Sequence, residues 1–478
     1  MACPTYVQPS RSRRTVVLAG LEQTPGCVRS AGLQQILLYE NPNPLQVEAD
    51  IIRLNRIRNG LAPEGVAIGA MTSRFTGSMY MFGSGIPNVG PAWSIILQAC
   101  GFKETRYVTD TAPAIATDEV TGVGATTGGS LAAGTYKYKF SLIPATATNG
   151  ETKNTILDQT ANGTTKAANG GIVASGSTGA ITLDWSACTP LKAAGAKLRI
   201  YRTLAGGSAY YFIAQVDADD SPYTYVDTFS DDELADPIPT DHVSDEHVIW
   251  TPLNANHKSI TMLNYLDSRK YPVSGTRGTI GFSGNFGEPF RGEMALQGIY
   301  NDSTEVANPA ALATPGFPPR LVKTQLTISP SGGGSAYTPI VKSIAVDLGV
   351  PVTPRGDTNA NEGIIEYGIF QELQPRIRLQ IEVASAKDWI DEFKSGNKYK
   401  VNFYVSPLGV SGSPAGTIFQ VIGGDDPAAG TAYGAQLVSA PQFDDSSGVR
   451  CFNLEFEPGQ VDDGTNADDL AFLKFKQT

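Results

Sequence analysis

Paired carboxylates are the nearest approach to an acid–base site in this sequence. Glu362 and Glu366 lie in the segment Asn-Glu-Gly-Ile-Ile-Glu-Tyr, and a glycosidase uses two carboxylates, one as acid and one as nucleophile or base. The segment is typical of a loop that enters a strand, where carboxylates are ordinarily solvated or salt-bridged. We therefore expect no catalytic role for this pair.

A neighbouring segment has three of the residues that an EF-hand calcium loop requires. Asp357, Asn359 and Asn361 occupy positions one, three and five of such a loop. Position six is Glu362 where the loop needs glycine, and position twelve is Gly368 where it needs a bidentate glutamate. Positions six and twelve fix the geometry of the ligands around calcium, and neither matches, so we expect no metal here.

The histidines and the common catalytic motifs give no further chemistry. His242, His247 and His257 are the only histidines. None lies in a His-Glu-x-x-His pattern, and linker histidines are the better interpretation. No Gly-x-Ser-x-Gly elbow occurs. The aspartates within 217–220 indicate a charged turn more than a cation site. We expect neither an enzyme nor a cofactor.

Composition indicates a β-rich globular protein of several units. The chain has 478 residues, 51 Gly, 31 Pro and 41% hydrophobic residues. A prior of roughly 100–200 residues per domain gives two to four units. The net charge of −11 argues against a protein that grips nucleic acid, because phosphate contacts need clustered Lys and Arg. The same negative charge is compatible with a protein that lets DNA pass without binding it.

Cysteine usage and hydropathy predict a protein made in a reducing cytoplasm and never inserted in a membrane. The five cysteines are odd in number, far apart and without a Cys-x-x-Cys pair; they are Cys3, Cys27, Cys100, Cys188 and Cys451. The N-terminal segment has no apolar core of signal-peptide length. No apolar run approaches the roughly 18–20 residues that span a bilayer.

A glycine-rich loop leads into one short hydrophobic helix within residues 83–102. Pro91 suits the first helical turn because it has no amide hydrogen to satisfy there, and Gly101 suits the left-handed position past the end. Four side chains at 3–4 spacing give the helix one face to bury: Trp93, Ile96, Leu97 and Cys100. The Gly-Lys-Ser/Thr ending of a phosphate loop is absent. The residues predict a helix packed on a sheet.

A second glycine-rich segment, residues 275–300, predicts a long hairpin. Gly287 and Pro289 supply turn geometry. Met294, Leu296 and the ring of Tyr300 are expected on one face of the returning strand.

Three other segments complete the predicted organisation. The first thirty residues, 1–30, lack periodicity and predict an extended arm that reaches a neighbour or a frayed terminus. Residues 45–58 allow a short amphipathic helix, but Asn-Gly at 59–60 and the alternation after it favour a hairpin. Ser385 is expected to cap a second short helix that Gly396 ends.

Residues 122–240 predict a separate β-sandwich. Short alternating runs are separated by turn clusters at the spacing of a sandwich. Their sequences resemble a fibronectin type III or other immunoglobulin-like module in four places: Ala-Gly-Thr-Tyr-Lys-Tyr, Gly-Glu-Thr, Arg-Ile-Tyr-Arg and Tyr-Thr-Tyr-Val-Asp-Thr. An acidic, Pro-rich stretch at 231–239 is the expected exit linker. The alternative is that these strands continue the main sheet.

The two glycine-rich segments together resemble the tail tube proteins of long-tailed, siphovirus-like bacteriophages. That family has a glycine-rich loop before Pro-x(4)-Leu-Leu-x-Ala-Cys-Gly-Phe, and a Gly-x-Arg-Gly strand that turns at Gly-Glu-Pro and returns to end Gly-x-Tyr. The matching positions here are Gly83, Gly85, Pro91, Trp93, Leu97, Cys100, Gly101, Phe102, Arg277, Gly278, Gly287, Pro289 and Tyr300. The resemblance assigns these residues to packing and turn geometry.

The resemblance implies a mainly β fold and a structural role in a virion. The expected fold is a tail tube β-sandwich or barrel, formed by 31–121 and 241–478, with one or two short helices and the immunoglobulin-like sandwich inserted between its parts. It implies assembly in the host cytoplasm as stacked, hexameric rings. The implied partners are other copies of the chain, a tape-measure protein, and terminator and tip proteins. DNA would pass through the lumen unbound.

Two hypotheses remain open on the residues alone. Residues 420–478 contain ten acidic and three basic residues, and an acidic lumen would repel a moving duplex. Which acidic side chains face a lumen is undetermined. The alternative is a carbohydrate-binding adhesin whose module tyrosines stack on sugars: Tyr201, Tyr210, Tyr211, Tyr223 and Tyr225.

Overall fold

The computed structural model describes most of the chain in nineteen segments and one single residue. They are 15–29, 32–40, 43–53, 66–108, 120–143, 155–156, 172–174, 178–192, 194–234, 241–242, 247–310, 318–331, 335–359, 363–383, 387–408, 413, 416–424, 434–446, 448–459 and 473–477. Strands make up 58% of the structure and helical segments 6%. The prediction of a mainly β fold is confirmed.

In the described residues, the first part of the chain has six strands and one helix. They are β1 (Thr15–Leu21), β2 (Gln34–Ile36), β3 (Leu38–Glu40), β4 (Leu45–Arg53), β5 (Val66–Tyr80), α1 (Ser94–Ala99) and β6 (Phe102–Val108). Nine short strands follow: β7 (Thr121–Ala125), β8 (Gly134–Tyr136), β9 (Tyr138–Ile143), β10 (Thr155–Ile156), β11 (Ile172–Ala174), β12 (Ala180–Asp184), β13 (Lys197–Thr203), β14 (Tyr210–Asp217) and β15 (Thr224–Asp227). Two 3₁₀ turns lie at Thr189–Lys192 and Asp231–Glu233.

The remainder of the described chain supplies seventeen strands and a second helix. Up to that helix they are β16 (Asp241–His242), β17 (His247–Pro252), β18 (Ile260–Leu266), β19 (Arg269–Asn285), β20 (Arg291–Tyr300), β21 (Thr304–Glu305), β22 (Arg320–Pro330), β23 (Val341–Asp347), β24 (Val352–Gly356), β25 (Ile364–Ile369) and β26 (Arg376–Glu382). Then come α2 (Trp389–Ser395), β27 (Lys398–Ser406), β28 (Phe419–Gly423), β29 (Ala435–Leu437), β30 (Gln442–Ser446), β31 (Val449–Pro458) and β32 (Leu473–Gln477).

Eight strands form one antiparallel sheet, which we call the main sheet. Their order is β4-β5-β20-β19-β23-β26-β31-β30, and every neighbouring pair is antiparallel. A second sheet, also antiparallel, has the order β22-β27-β28-β32-β17-β6. Strand β29 pairs with both β27 and β31 and so joins the two sheets.

The main sheet has one apolar and one polar face because its strands alternate with period two. One row across it consists of Phe282, Val346, Ile377 and Phe456, all at most 1% exposed. The adjacent row, on the other face, is Ser283, Ala345, Arg378 and Glu455. The apolar face packs on the second sheet, and the large core lies between them.

Residues 120–234 build a separate core. A four-stranded sheet (β10-β9-β13-β14), a three-stranded sheet (β15-β12-β7) and the pair β11-β8 contribute to one cluster around Trp185, Phe140 and Ile200. These strands lie in the interval predicted as an inserted sandwich, and they do not pair with the main sheet in the described residues. The boundaries 122 and 240 stay a prediction.

Two local predictions need correction. The arm expected over 1–30 is wrong from Thr15 onward, because β1 pairs with β18 and is mostly buried; residues 1–14 lie outside the described part. Helix α2 is capped by Asp388, whose carboxylate accepts from the Ile390 amide, and Ser385 is not among the described residues. Gly396 ends α2 in the left-handed conformation, as expected.

The ambiguous segment after residue 45 is a strand, not a helix. Strand β4 pairs antiparallel with β5, so that Ile51 lies opposite Ile68 and Arg53 opposite Val66. The predicted Asn-Gly turn at 59–60 lies outside the described residues. In the described part of the chain, no helix is both long and apolar enough to cross a membrane.

Candidate functional site

The residues that suggested chemistry serve ordinary structural contacts. Glu366 pairs with Arg277 at 3.5 Å and with Arg355 at 3.0 Å, while Glu362 lies outside the described residues. Asp357 accepts hydrogen bonds from the backbone and side-chain amides of Asn359, and Asn361 is not described. Among the described residues, no group of three His, Cys, Asp or Glu could hold a metal ion.

The histidines are similarly placed. His247 stacks on Tyr107 with 4.3 Å between the ring centroids. The Nε2 atom of His257 lies 3.1 Å from the carbonyl oxygen of Leu253, and burial lowers the pKa of His257. For His242 the structure describes only the backbone, which lies in β16.

The predicted helix is present, and its apolar stripe is buried as expected. Helix α1 spans Ser94–Ala99, and Gly101 follows with φ +87°. The four stripe residues, Trp93, Ile96, Leu97 and Cys100, are at most 5% exposed. Phe102 then begins β6 and packs against Phe475 at 5.5 Å between centroids. Pro91 precedes the helix and its carbonyl accepts from the Ser94 amide.

The glycine-rich loop before α1 is held by two segments that are distant in sequence, around Gly416 and at Gln477. A Cβ on Gly83 would lie 2.2 Å from the carbonyl oxygen of Gly416, so the backbones approach as only glycine allows. The Gly85 amide donates to that same oxygen at 3.1 Å, and Gly85 has φ +76°. The Gln477 amide donates to Ser84 Oγ at 2.7 Å. These contacts give the loop a packing role.

The second motif forms the hairpin of β19 and β20. Gly287 lies in the turn with φ +81°, and Pro289 forms an isolated bridge with Arg320. On β20, Met294 and Leu296 are buried, whereas Tyr300, at the strand end opposite Val273, is half-buried.

Arg277 and Gly278, at the start of this hairpin, each have a specific reason to be present. The buried Arg277 guanidinium donates to three backbone carbonyls, of His257 at 2.8 Å, Lys258 at 3.2 Å and Tyr367. Burial lowers its pKa and the Glu366 carboxylate opposes that shift. A Cβ on Gly278 would lie 2.2 Å from the carbonyl oxygen of Ala295. Arg277 therefore ties the hairpin to the segment before β18 and to β25.

The two motifs meet in one aromatic cluster. The Trp93 ring lies 6.1 Å from Phe282 of β19, 5.3 Å from Phe419 of β28 and 6.0 Å from Trp250 of β17, measured between centroids. Its indole N–H donates to the Phe82 carbonyl at 2.7 Å. Helix α1 thus packs between the main and second sheets, at the point where both motifs contribute.

A buried carboxylate beneath α1 was not anticipated. Glu104 accepts hydrogen bonds from Ser94 at 3.0 Å, Gln98 at 3.2 Å and the Trp250 indole at 3.0 Å, and it pairs with Arg106 at 2.6 Å. Burial raises the pKa of Glu104, but the Arg106 charge and the hydrogen bonds outweigh it and lower the pKa below its ordinary value.

A second unexpected carboxylate lies at the end of β1. Glu22 is 2% exposed and accepts from the hydroxyls of Ser259 and Thr261 and from the amides of Gly26 and Gly275, all between 2.7 and 3.0 Å. Burial nevertheless raises its pKa above the ordinary value. Glu22 and Glu104 were missed because one isolated carboxylate in sequence gives no signal that tertiary donors will surround it.

The polar face of the main sheet carries charges of both signs. Arg378 pairs with Glu455 at 3.0 Å and Arg376 with Glu457. Asp444 accepts from the Asp445 backbone amide at 2.8 Å, from Asn453 and from Gln380 at 2.9 Å. The hydrogen bond from the Asp445 amide, followed by those from the two side chains, lowers the pKa of Asp444. A shallow depression of about 580 Å³ lies on this face. It is a broad polar surface, not an enclosed site.

The module tyrosines mostly contribute to its core. Tyr201 is fully buried, and Tyr211, Tyr223 and Tyr225 pack against the module cluster. Tyr210 lies under the Lys139 ammonium group at 4.4 Å.

Comparison with protein-family models found no match, and a search of curated proteins found no significant relative.

Proposed function

We propose that this chain is the tail tube subunit of a long-tailed bacteriophage, and that its copies form rings that stack into the conduit for DNA. The proposal begins from the resemblance of residues 83–102 and 275–300. These are packing and turn motifs, so their function would be to build a wall.

The observation that carries the proposal is the contact between Trp93 and Phe282. The two motifs lie far apart in sequence, on either side of residues 120–234, which have their own core. In the fold they share one aromatic cluster between two sheets. Such co-localisation supports a single parent domain interrupted by a module.

The main sheet supplies a surface suited to a wall. Its apolar face is covered by the second sheet, so its polar face is the one that can line a lumen. On that face Arg376 and Arg378 are paired with glutamates. Paired guanidinium groups attract phosphate less than free ones, and additional carboxylates repel it. A duplex would therefore find few sites that arrest it.

The test is electron microscopy of the purified protein at rising concentration. We expect rings and then hollow tubes, because a repeated head-to-tail contact that closes within a ring can still stack along its axis. A protein that remains a discrete monomer or trimer and binds glycans would favour the adhesin hypothesis instead.

A further inference from the structure

The main sheet contains the same four-stranded arrangement twice. Strands β4, β5, β20 and β19 form one half, and β23, β26, β31 and β30 form the other. In each half the first two strands are a pair from earlier in the chain, and the last two come from a later hairpin whose second strand lies inside. In the second half the strand pair β24–β25 lies between β23 and β26 in the chain. We call these halves unit 1 and unit 2.

Parts of the chain between the two strand pairs also correspond. In each unit a short helix follows the first strand pair, and two antiparallel strands of the second sheet come after the helix: β6 and β17 after α1, β27 and β28 after α2. A tryptophan lies at the start of each helix, Trp93 at the N-cap of α1 and Trp389 as the first residue of α2. A left-handed glycine, Gly101 or Gly396, follows the end of each helix. Strands β17 and β28 both pair with β32. The chain therefore holds two versions of one structural unit.

The two units join through β19 and β23. These strands are antiparallel, with Phe282 opposite Val346, and each of these side chains is 1% exposed. At this junction the last strand of unit 1, β19, pairs with the first strand of unit 2, β23.

The two edge strands of the main sheet, β4 and β30, are the counterparts of the two strands that join the units. Strand β4 corresponds to β23 and β30 to β19, and in the described residues β4 pairs only with β5 and β30 only with β31. On the core side of the sheet, Val47 of β4 is 43% exposed and Phe443 of β30 is 57% exposed. Thus apolar side chains on the strands that correspond to β19 and β23 lie open at the two ends.

We propose that a second copy of this chain extends the main sheet, with its β4 antiparallel to β30 of the first copy and Val47 opposite Phe443. This register also sets Glu48 opposite Gln442 and Gln46 opposite Asp444, so no two carboxylates face each other directly. Strand direction alternates across all eight strands, so the added strand continues the antiparallel order. The occupant is a copy of this chain because the junction repeats one that the chain already makes internally.

The inference deepens the proposed function and rests on it for ring closure. Each chain contributes two units to the wall, so a wall of six units closes with three chains in place of the six expected from the resemblance. The contact is heterologous: the β4 edge of one copy meets the β30 edge of another, never a like edge.

Cysteine cross-linking tests the pairing. In a background with Cys3 and Cys27 replaced by serine, Glu48→Cys and Gln442→Cys proteins are oxidised separately and as a mixture under assembly conditions. The mixture should give covalent dimers and each single variant none, since like edges do not meet. The matched control replaces Glu48→Cys with Ala49→Cys, which points to the opposite face. We expect at least about tenfold more dimer with Glu48→Cys than with Ala49→Cys.

The double variant Glu48→Cys with Gln442→Cys should give a covalent ladder that ends at the closed ring. Microscopy of the same samples separates the two ways of failing. Hollow tubes without dimers above the control would overturn the β4–β30 pairing and leave the proposed function standing. Absence of rings and tubes in the unmodified protein would overturn both.

Discussion

The indole of Trp93 lies edge-on against the ring of Phe282, with 6.1 Å between centroids and an interplanar angle of 65°. One residue comes from the helix motif and the other from the hairpin motif. Aromatic pairs in this geometry add roughly 0.5–1.5 kcal/mol beyond their buried area. The contact fixes α1 between the main and second sheets, which together form the main body of the protein, so the stability of this body should depend on the contact.

Replacing Trp93 by alanine should strongly destabilise the main body. Trp93→Ala removes a buried indole and its contacts with three aromatic rings, which costs about 3–5 kcal/mol of unfolding free energy. The measurement is urea denaturation of the main body, monitored apart from the module, which has its own core. Phe286→Ala, at a ring that is 70% exposed, should stay within about 0.5 kcal/mol of the parent. Equal effects of the two changes would contradict the packing role.

Two glycines of the same loop should differ in their tolerance of a side chain. Gly83→Ala places a Cβ 2.2 Å from the Gly416 oxygen, so the backbones must separate. At Gly85 nothing lies within 4 Å, and Gly85→Ala costs only the left-handed conformation, about 1–2 kcal/mol. In thermal unfolding, Gly83→Ala should lower the melting temperature more than Gly85→Ala does. The reverse order would mean that the loop is not held by the 416–417 segment.

Arg277 should not be replaceable by lysine. Its guanidinium serves three carbonyls in fixed directions, and an ammonium group cannot reach them all, so Arg277→Lys should cost roughly 2–4 kcal/mol. Arg355 pairs with the same glutamate but is 61% exposed, and Arg355→Lys should be nearly neutral. Denaturation of both variants checks the difference. If Arg277→Lys lowered the stability as little as Arg355→Lys does, the hairpin would not depend on the Arg277 guanidinium.

The two buried glutamates should give opposite pH dependences. The pKa of Glu104 is lowered by folding, so its contribution is present above the ordinary value of 4.5 and is lost as pH falls through that value. The pKa of Glu22 is raised, so the folded state holds the proton longer and stability is lost as pH rises above 4.5.

Glutamine variants isolate these contributions because their side chains do not titrate. From about pH 3 to about pH 7, the stability difference between parent and Glu104→Gln should grow, and that between parent and Glu22→Gln should shrink. Unfolding free energies measured across this range check both slopes. If the two stability differences changed with pH in the same direction, the environments assigned to Glu104 and Glu22 would be wrong.

Charge reversal on the polar face should impede DNA passage without blocking assembly. Glu455→Lys with Glu457→Lys would free two arginines and add two cations facing a lumen, so phosphates would be retained. The readout is the rate of genome ejection from particles that carry normal tails. Asp391→Lys on the exposed surface of α2 is the control. Unimpaired ejection with the double variant would contradict the conduction argument.

Local patterns predicted the fold well where a residue type is suited to one position of a helix or turn for a steric reason. Gly101 follows the end of α1 as expected, and the spacing of Trp93, Ile96 and Leu97 predicted its buried face. Pro91 lies three residues before the start of α1 and not in its first turn. Gly287 lies in the turn of the hairpin predicted for 275–300, which β19 and β20 form. These signals are local, because each depends on the geometry of one helix or one strand.

Features that depend on distant residues were not predictable. The donors around Glu22 come from β18, β19 and a loop, and the sequence does not show which strands adjoin. Strand β1 was misassigned to an arm because only its pairing with β18 reveals it. The doubled unit was also missed, since it is a repeat of connectivity, and apart from the tryptophan and glycine that bound each helix it leaves little common sequence.

The central claim is that copies of this chain build a hollow wall with the polar face of the main sheet inside. A cryo-electron microscopy reconstruction of the assembled protein tests it most directly. The account predicts a tube whose inner surface carries Arg378 and Glu455, with the second sheet outside it. A solid polymer, or a tube with that face turned outward, would contradict it.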